Sequence, residues 1–165
     1  MTQIEYGEFV NKVKETIANQ PIPPNYNRDE WNGKGVNCYL YAMRACMNFE
    51  DKEDLTRPGF LARREKKSFV YKKDFVIKNF KADCKALGLK VFPTELEEPI
   101  RENEYKIAVY VNENRDFHFR RQDRNGEWSE QSGWYGIIST IKSKYITKND
   151  GDYIFCGIFK VVSKK

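Results

Sequence analysis

The chain has 165 residues, enough for one domain with a buried core. At 40% hydrophobic and 15% aromatic residues it belongs with folded chains rather than disordered ones, and no run approaches the roughly 18 apolar residues of a membrane span. The formal net charge of +5, with both signs interspersed, suits solubility or an acidic partner and is too small to name nucleic acid as a ligand, although it leaves nucleic acid open.

The N-terminus, Met1 to Tyr6, has neither the basic start nor the apolar run of a signal peptide, so a cytoplasmic protein is expected. Thr2-Gln3-Ile4-Glu5 has the form of a capping box. Tyr6, Val10, Val13 and Ile17 then recur at helical spacing, which predicts a helix over 3–19. Pro21, Pro23 and Pro24 stop it. An extended segment follows to the loop Trp31 to Gly35, so residues 1–30 read as an N-terminal helix with a Pro-rich extension. A second helix is expected from Cys38 to about Asn48, with Leu40, Met43 and Met47 on one stripe. Arg57-Pro58-Gly59 is a turn, and the stretch 63–73 is basic. A third helix fits 73–87, with Val76, Ile77, Phe80, Cys84 and Leu87 inward and Gly88 closing it.

The remainder reads as β. A short strand covers 89–92. Tyr105, Ile107, Val109 and Val111 alternate towards one core. After a turn at Asn112 to Asn114, Phe117, Phe119 and Arg121 share one face, with His118, Arg120 and Gln122 on the other. Arg124-Asn125-Gly126 is a hairpin turn into residues 127–130, and 153–162 is the last strand. Helices first and an antiparallel sheet second make a single α+β domain over 1–165.

The four cysteines, Cys38, Cys46, Cys84 and Cys156, lack metal-ligand spacing, and His118 is the single histidine. No metal or cofactor is expected, and free thiols are the default. Cys38 differs in opening a helix, where backbone N–H groups favour a thiolate. His118 is the single imidazole that could activate it. The strand after His118 should supply a group that orients the ring, which makes Glu130 and Gln131 the candidates ahead of Gln122 and Asp123. The Cys38 N–H, Asn32 and Asn37 are candidate oxyanion donors. Trp31, Trp128, Trp134 and Tyr135 are candidates to line a groove, and the basic run 63–73 with Arg120, Arg121 and Arg124 could form a positive rim for an acidic partner.

These residues carry a resemblance. Asn37-Cys38-Tyr39-Leu40-Tyr41-Ala42-Met43 resembles an N-C-Y-A-Y-A-L segment, and Pro58-Gly59 a P-G turn, of a group of poorly characterised bacterial and phage proteins. Residues 117–133 resemble their H-F-Y-R-Q-D-S-N-G-x-W-S-H-K-P-G block, and 153–159 their closing Y-x-x-F-x-G-Y-F strand. The group is similar to papain-like cysteine hydrolases of the NlpC/P60-like kind. The resemblance implies a papain-like fold with helices packed on an antiparallel sheet, Cys38 as nucleophile, His118 as base and Glu130 as the third member. Glu130 stands where that group has a histidine, and Gln131 where it has a lysine. The implied activity is a thiol peptidase or amidase acting on an amide or isopeptide bond of a peptide, protein or peptidoglycan-type substrate, the last needing an export route. The alternative is a non-catalytic or degenerate binding module that seizes a host protein or nucleic acid.

Overall fold

The computed structural model describes residues 2–48, 56–63, 69–132 and 137–164. Helix α1 spans Gln3–Ala18, and the Thr2 hydroxyl caps it by accepting from the Glu5 N–H at 3.1 Å. Its inward stripe is Val10, Val13 and Ile17, all buried. The segment expected to be extended contains a single-turn helix α2, Arg28–Trp31, capped by the Asn27 side chain.

Helix α3 covers only Cys38–Ala42, not the longer span that the apolar stripe suggested. Arg44 stops it by taking a left-handed conformation, φ 68°. The Arg44 N–H bonds Tyr41 O at 3.1 Å and the Ala45 N–H bonds Leu40 O at 2.9 Å, the pairing of a Schellman end. A glycine usually occupies that position. Here the cost of a side chain is offset because the Arg44 guanidinium donates to Ile17 O in the last turn of α1 at 3.2 Å and to Gln20 O just beyond that helix at 3.1 Å. The same Ile17 carbonyl accepts from the Gln20 N–H at 3.0 Å, so one buried arginine ends α3 and braces the turn that closes α1.

Helix α4, Lys73–Ala86, buries Val76, Phe80, Asp83 and Cys84. Its Asp83 carboxylate accepts from Tyr39 Oη at 2.5 Å, Gly59 N at 2.7 Å and Ala62 N at 2.9 Å, which pins the Pro58-Gly59 turn to α3 and α4. Gly59 has φ 108°, and a Cβ there would lie 3.0 Å from the Asn79 side chain, so the turn needs glycine twice over.

The strands are β1 Lys90–Thr94, β2 Glu104–Asn112, β3 Asp116–Gln122, β4 Trp128–Ser132, β5 Ile137–Ile141 and β6 Ile154–Val162. They form one sheet of six strands, ordered β1-β6-β2-β3-β4-β5, with every neighbour antiparallel. The protein is therefore α+β. Alternation sends Tyr105, Ile107, Val109, Val111, Phe117 and Phe119 into the core under the helices. The opposite face carries a smaller cluster of Ala108, Tyr110, Trp128, Ile146 and Ile158. Strand β5 had no counterpart in the sequence reading. No described helix is long and apolar enough to cross a membrane.

Candidate functional site

Cys38 is the first residue of α3, and its position is set from both ends of that helix. At the N-terminal end the Asn37 side chain accepts from the Leu40 N–H at 2.8 Å and donates to Thr56 Oγ1 at 2.9 Å. At the C-terminal end Arg121 of β3 donates to Tyr41 O at 3.0 Å and lies over the Tyr41 ring, 3.9 Å from its centroid. The Tyr41 hydroxyl meets Ser129 Oγ of β4 at 2.6 Å. These contacts fasten the cysteine-bearing helix to the two strands that carry His118 and Glu130.

Strand alternation places His118 on the side away from Phe117 and Phe119. The β3–β4 ladder ends at Arg121 and Ser129, so Glu130 comes next, across from Arg120 and diagonal to His118. Glu130 Oε1 lies 2.6 Å from His118 Nε2. That leaves Nδ1 as the ring nitrogen free to serve a thiol. Cys38 sits beside the ring, close enough to act on it by hydrogen bonding and charge. The thiol itself is turned to the Phe117 carbonyl, 3.9 Å away. A thiol–imidazole bond of this kind commonly tightens only when substrate arrives.

Burial alone would push the His118 pKa down. The hydrogen bonds and negative charge of Cys38 and Glu130 outweigh it and raise the pKa to about 9. Burial would push Glu130 up, yet its pKa is held below the ordinary value by His118 and Arg120. The imidazole is therefore held protonated at neutral pH, which stabilises an adjacent thiolate.

Cys38, His118, Glu130 and Gln131 line one cleft of about 510 Å³. Tyr71, Phe117 and Tyr153 supply aromatic walls, and Asp116 and Asp150 supply carboxylates. The Tyr153 hydroxyl donates to Asp116 Oδ2 at 2.7 Å. The sequence reading singled out none of Asp116, Asp150 and Tyr153: Asp116 shares the His118 face of β3 by alternation, while Asp150 and Tyr153 approach only because the turn before β6 folds back to β3.

Several expected roles do not survive. Asn32 is exposed and away from the cleft lining, whereas Asn37 lines the cleft beside Cys38 with its amide bonded to Thr56 Oγ1 and the Leu40 N–H. Trp128 is 1% exposed in the second core cluster, and Trp31 is buried edge-on to Tyr41, so neither lines a groove. Trp134 and Tyr135 lie outside the described residues, as do residues 64–68 of the basic run. Arg63 stacks on Tyr6 and Lys72 pairs with Glu113. The positive rim fails at its arginines. Arg120 and Arg121 are buried and paired, and Arg124 pairs with Glu102 at 2.6 Å. Asp123 and Gln122 are occupied by Arg121 and the Gly126 carbonyl.

Among the described residues no group of three His, Cys, Asp or Glu side chains could hold a metal ion, and the four cysteines are free thiols. Comparison with protein-family models, curated proteins and solved structures finds no match to this chain.

Proposed function

We propose that this protein is a papain-like cysteine hydrolase that cleaves an amide or isopeptide bond. The observation that carries this reading is the shared imidazole: His118 has Glu130 Oε1 at 2.6 Å on one nitrogen and the Cys38 thiol beside the ring, in an open cleft. The thiol proton rests on His118 as an imidazolium before attack, and the Cys38 thiolate adds to the substrate carbonyl carbon. The backbone N–H at the start of α3 stabilises the oxyanion. The intermediate collapses as His118 protonates the leaving amine, which leaves a thioester on Cys38. His118 then removes a proton from water, which attacks the thioester and releases the acid and the free thiol. Glu130 keeps the ring in the required tautomer and stabilises its positive charge. The protein's four free thiols suit a cytoplasmic setting, with a peptide or protein as substrate.

The test is alkylation of the full chain with iodoacetamide at mildly acidic pH, with the modified cysteine mapped. Cys38 should react selectively, and His118→Ala should abolish that selectivity. Equal or absent labelling of all four thiols would overturn the hydrolase reading and leave a binding module in its place.

A further inference from the structure

Arg120 lies on the same side of β3 as His118, and its side chain is only 4% exposed. Its Nε donates to Glu130 Oε1 at 3.1 Å, the oxygen that also meets His118 Nε2. A second nitrogen donates to Asp150 Oδ2 at 3.0 Å. The guanidinium carbon sits 4.7 Å from the centroid of the Tyr110 ring, which supports it from β2. Glutamate has three side-chain torsions, and one hydrogen bond does not fix them all. A planar guanidinium seated on an aromatic face and holding two carboxylates does fix the shared oxygen.

We propose that Arg120 is a positioning residue of the thiol site: it holds the Glu130 carboxylate against His118 and ties it, through Asp150, to the turn that forms one wall of the cleft. This inference rests on the Cys38–His118–Glu130 reading. Locally, His118 and Arg120 face the carboxylates of Glu130 and Asp150, with Asp116 across the cleft. The same turn carries Tyr153, whose ring lies 6.2 Å from the imidazole and whose hydroxyl binds Asp116. Tyr110, 6.0 Å from the imidazole, and Cys38 complete the polar groups around His118.

Two roles for Arg120 give opposite signs. If Arg120 were only a nearby cation, removing it would relieve repulsion and raise the His118 midpoint. If it positions Glu130, removing it frees the carboxylate and lowers that midpoint. His118 is the sole histidine, so its ring C–H resonance reports without ambiguity. The experiment is an NMR titration of the full chain as wild type, Arg120→Gln, Arg120→Lys and Asp150→Asn, with Cys38 alkylation rates measured beside it. Arg120→Gln should lower the midpoint by about one pH unit or more and slow Cys38 labelling severalfold at about pH 8–9, where the lowered midpoint leaves the imidazole largely neutral. Arg120→Lys should recover part of both, and Asp150→Asn should shift both less, in the same direction. An unchanged or raised midpoint in Arg120→Gln overturns the proposal. Should that variant not fold, Arg120→Lys decides alone, because it keeps the cation and loses the planar fork: a midpoint below wild type supports positioning and an unchanged one overturns it. Failure of the hydrolase reading looks different, since Cys38 labelling would be independent of His118 even in the wild type.

Discussion

Arg120 and Arg121 are neighbours on β3, and alternation sends them to opposite faces of the sheet. Each meets a carboxylate, yet the two pairs are built for different work. Arg121 and Asp123 are 1% and 0% exposed, and Ser129 and Tyr41 complete their hydrogen bonds. Burial pushes the Asp123 pKa up despite Arg121 and Ser129. Around Glu130 the balance reverses, because two cations share one carboxylate at the edge of a cleft and hold its pKa down. The first pair fastens α3 to the sheet. The second adjusts the charge of a histidine. Depth and the number of partners, rather than residue type, separate a structural ion pair from one that belongs to a site.

The largest effect that would break this contrast is on the Arg121 side. Asp123→Ala leaves a buried guanidinium without its carboxylate and should cost about 3–5 kcal/mol in urea denaturation. A loss under about 1 kcal/mol would mean that the network around Tyr41 does not fasten α3.

A smaller effect belongs to the cleft side and has a definite sign. The folded-state pKa of His118 is raised above its ordinary 6.5 to about 9. Its contribution to stability is therefore fully present below about pH 6.5 and is lost as pH rises through about 9. Urea midpoints across that window should fall by the equivalent of roughly 2–3 kcal/mol in the wild type and stay nearly flat in His118→Gln. The raised Asp83 pKa, about 6, acts below this window, and burial raises Cys46 to about 11, above it.

The smallest effect concerns the third arginine of the same stretch. Arg124 and Glu102 are both exposed, so Arg124→Ala should change stability by no more than about 0.5 kcal/mol. It should also leave Cys38 alkylation unchanged. An effect on labelling would place Arg124 in the site after all and extend the cleft beyond the Arg120 side.

Much of the site was legible because it rests on short-range rules. Thr2 and the stripe through Val10, Val13 and Ile17 specify α1, and Asn37 marks a helix start at Cys38. A period of two in β3 separates Phe117 and Phe119 from His118, and the Asn125-Gly126 turn brings Glu130 back beside it. The sites that were misread lack such local signals. Arg44 ends α3 where a glycine would have announced the stop, because the end is stabilised by the carbonyls of Ile17 and Gln20, 27 and 24 residues away in the chain. Trp128 looked like a groove residue, since its alternation is clear while the second core cluster it enters is assembled from β2, β6 and the turn at Ile146.

By itself, then, the sequence determined the α+β class and the directions of the side chains on β3, consequences of helical and strand periodicity, and it offered Cys38, His118 and Glu130 as candidates. Tertiary structure alone decided that Cys38 lies beside His118 rather than in the core. It also decided that Arg120 grips Glu130 and Asp150 instead of facing solvent, and that Asp150 and Tyr153 enter the cleft. Those outcomes depend on contacts between residues far apart in the chain, whose geometry is set only when α3 is fastened to β3 and β4 and the turn before β6 folds against them.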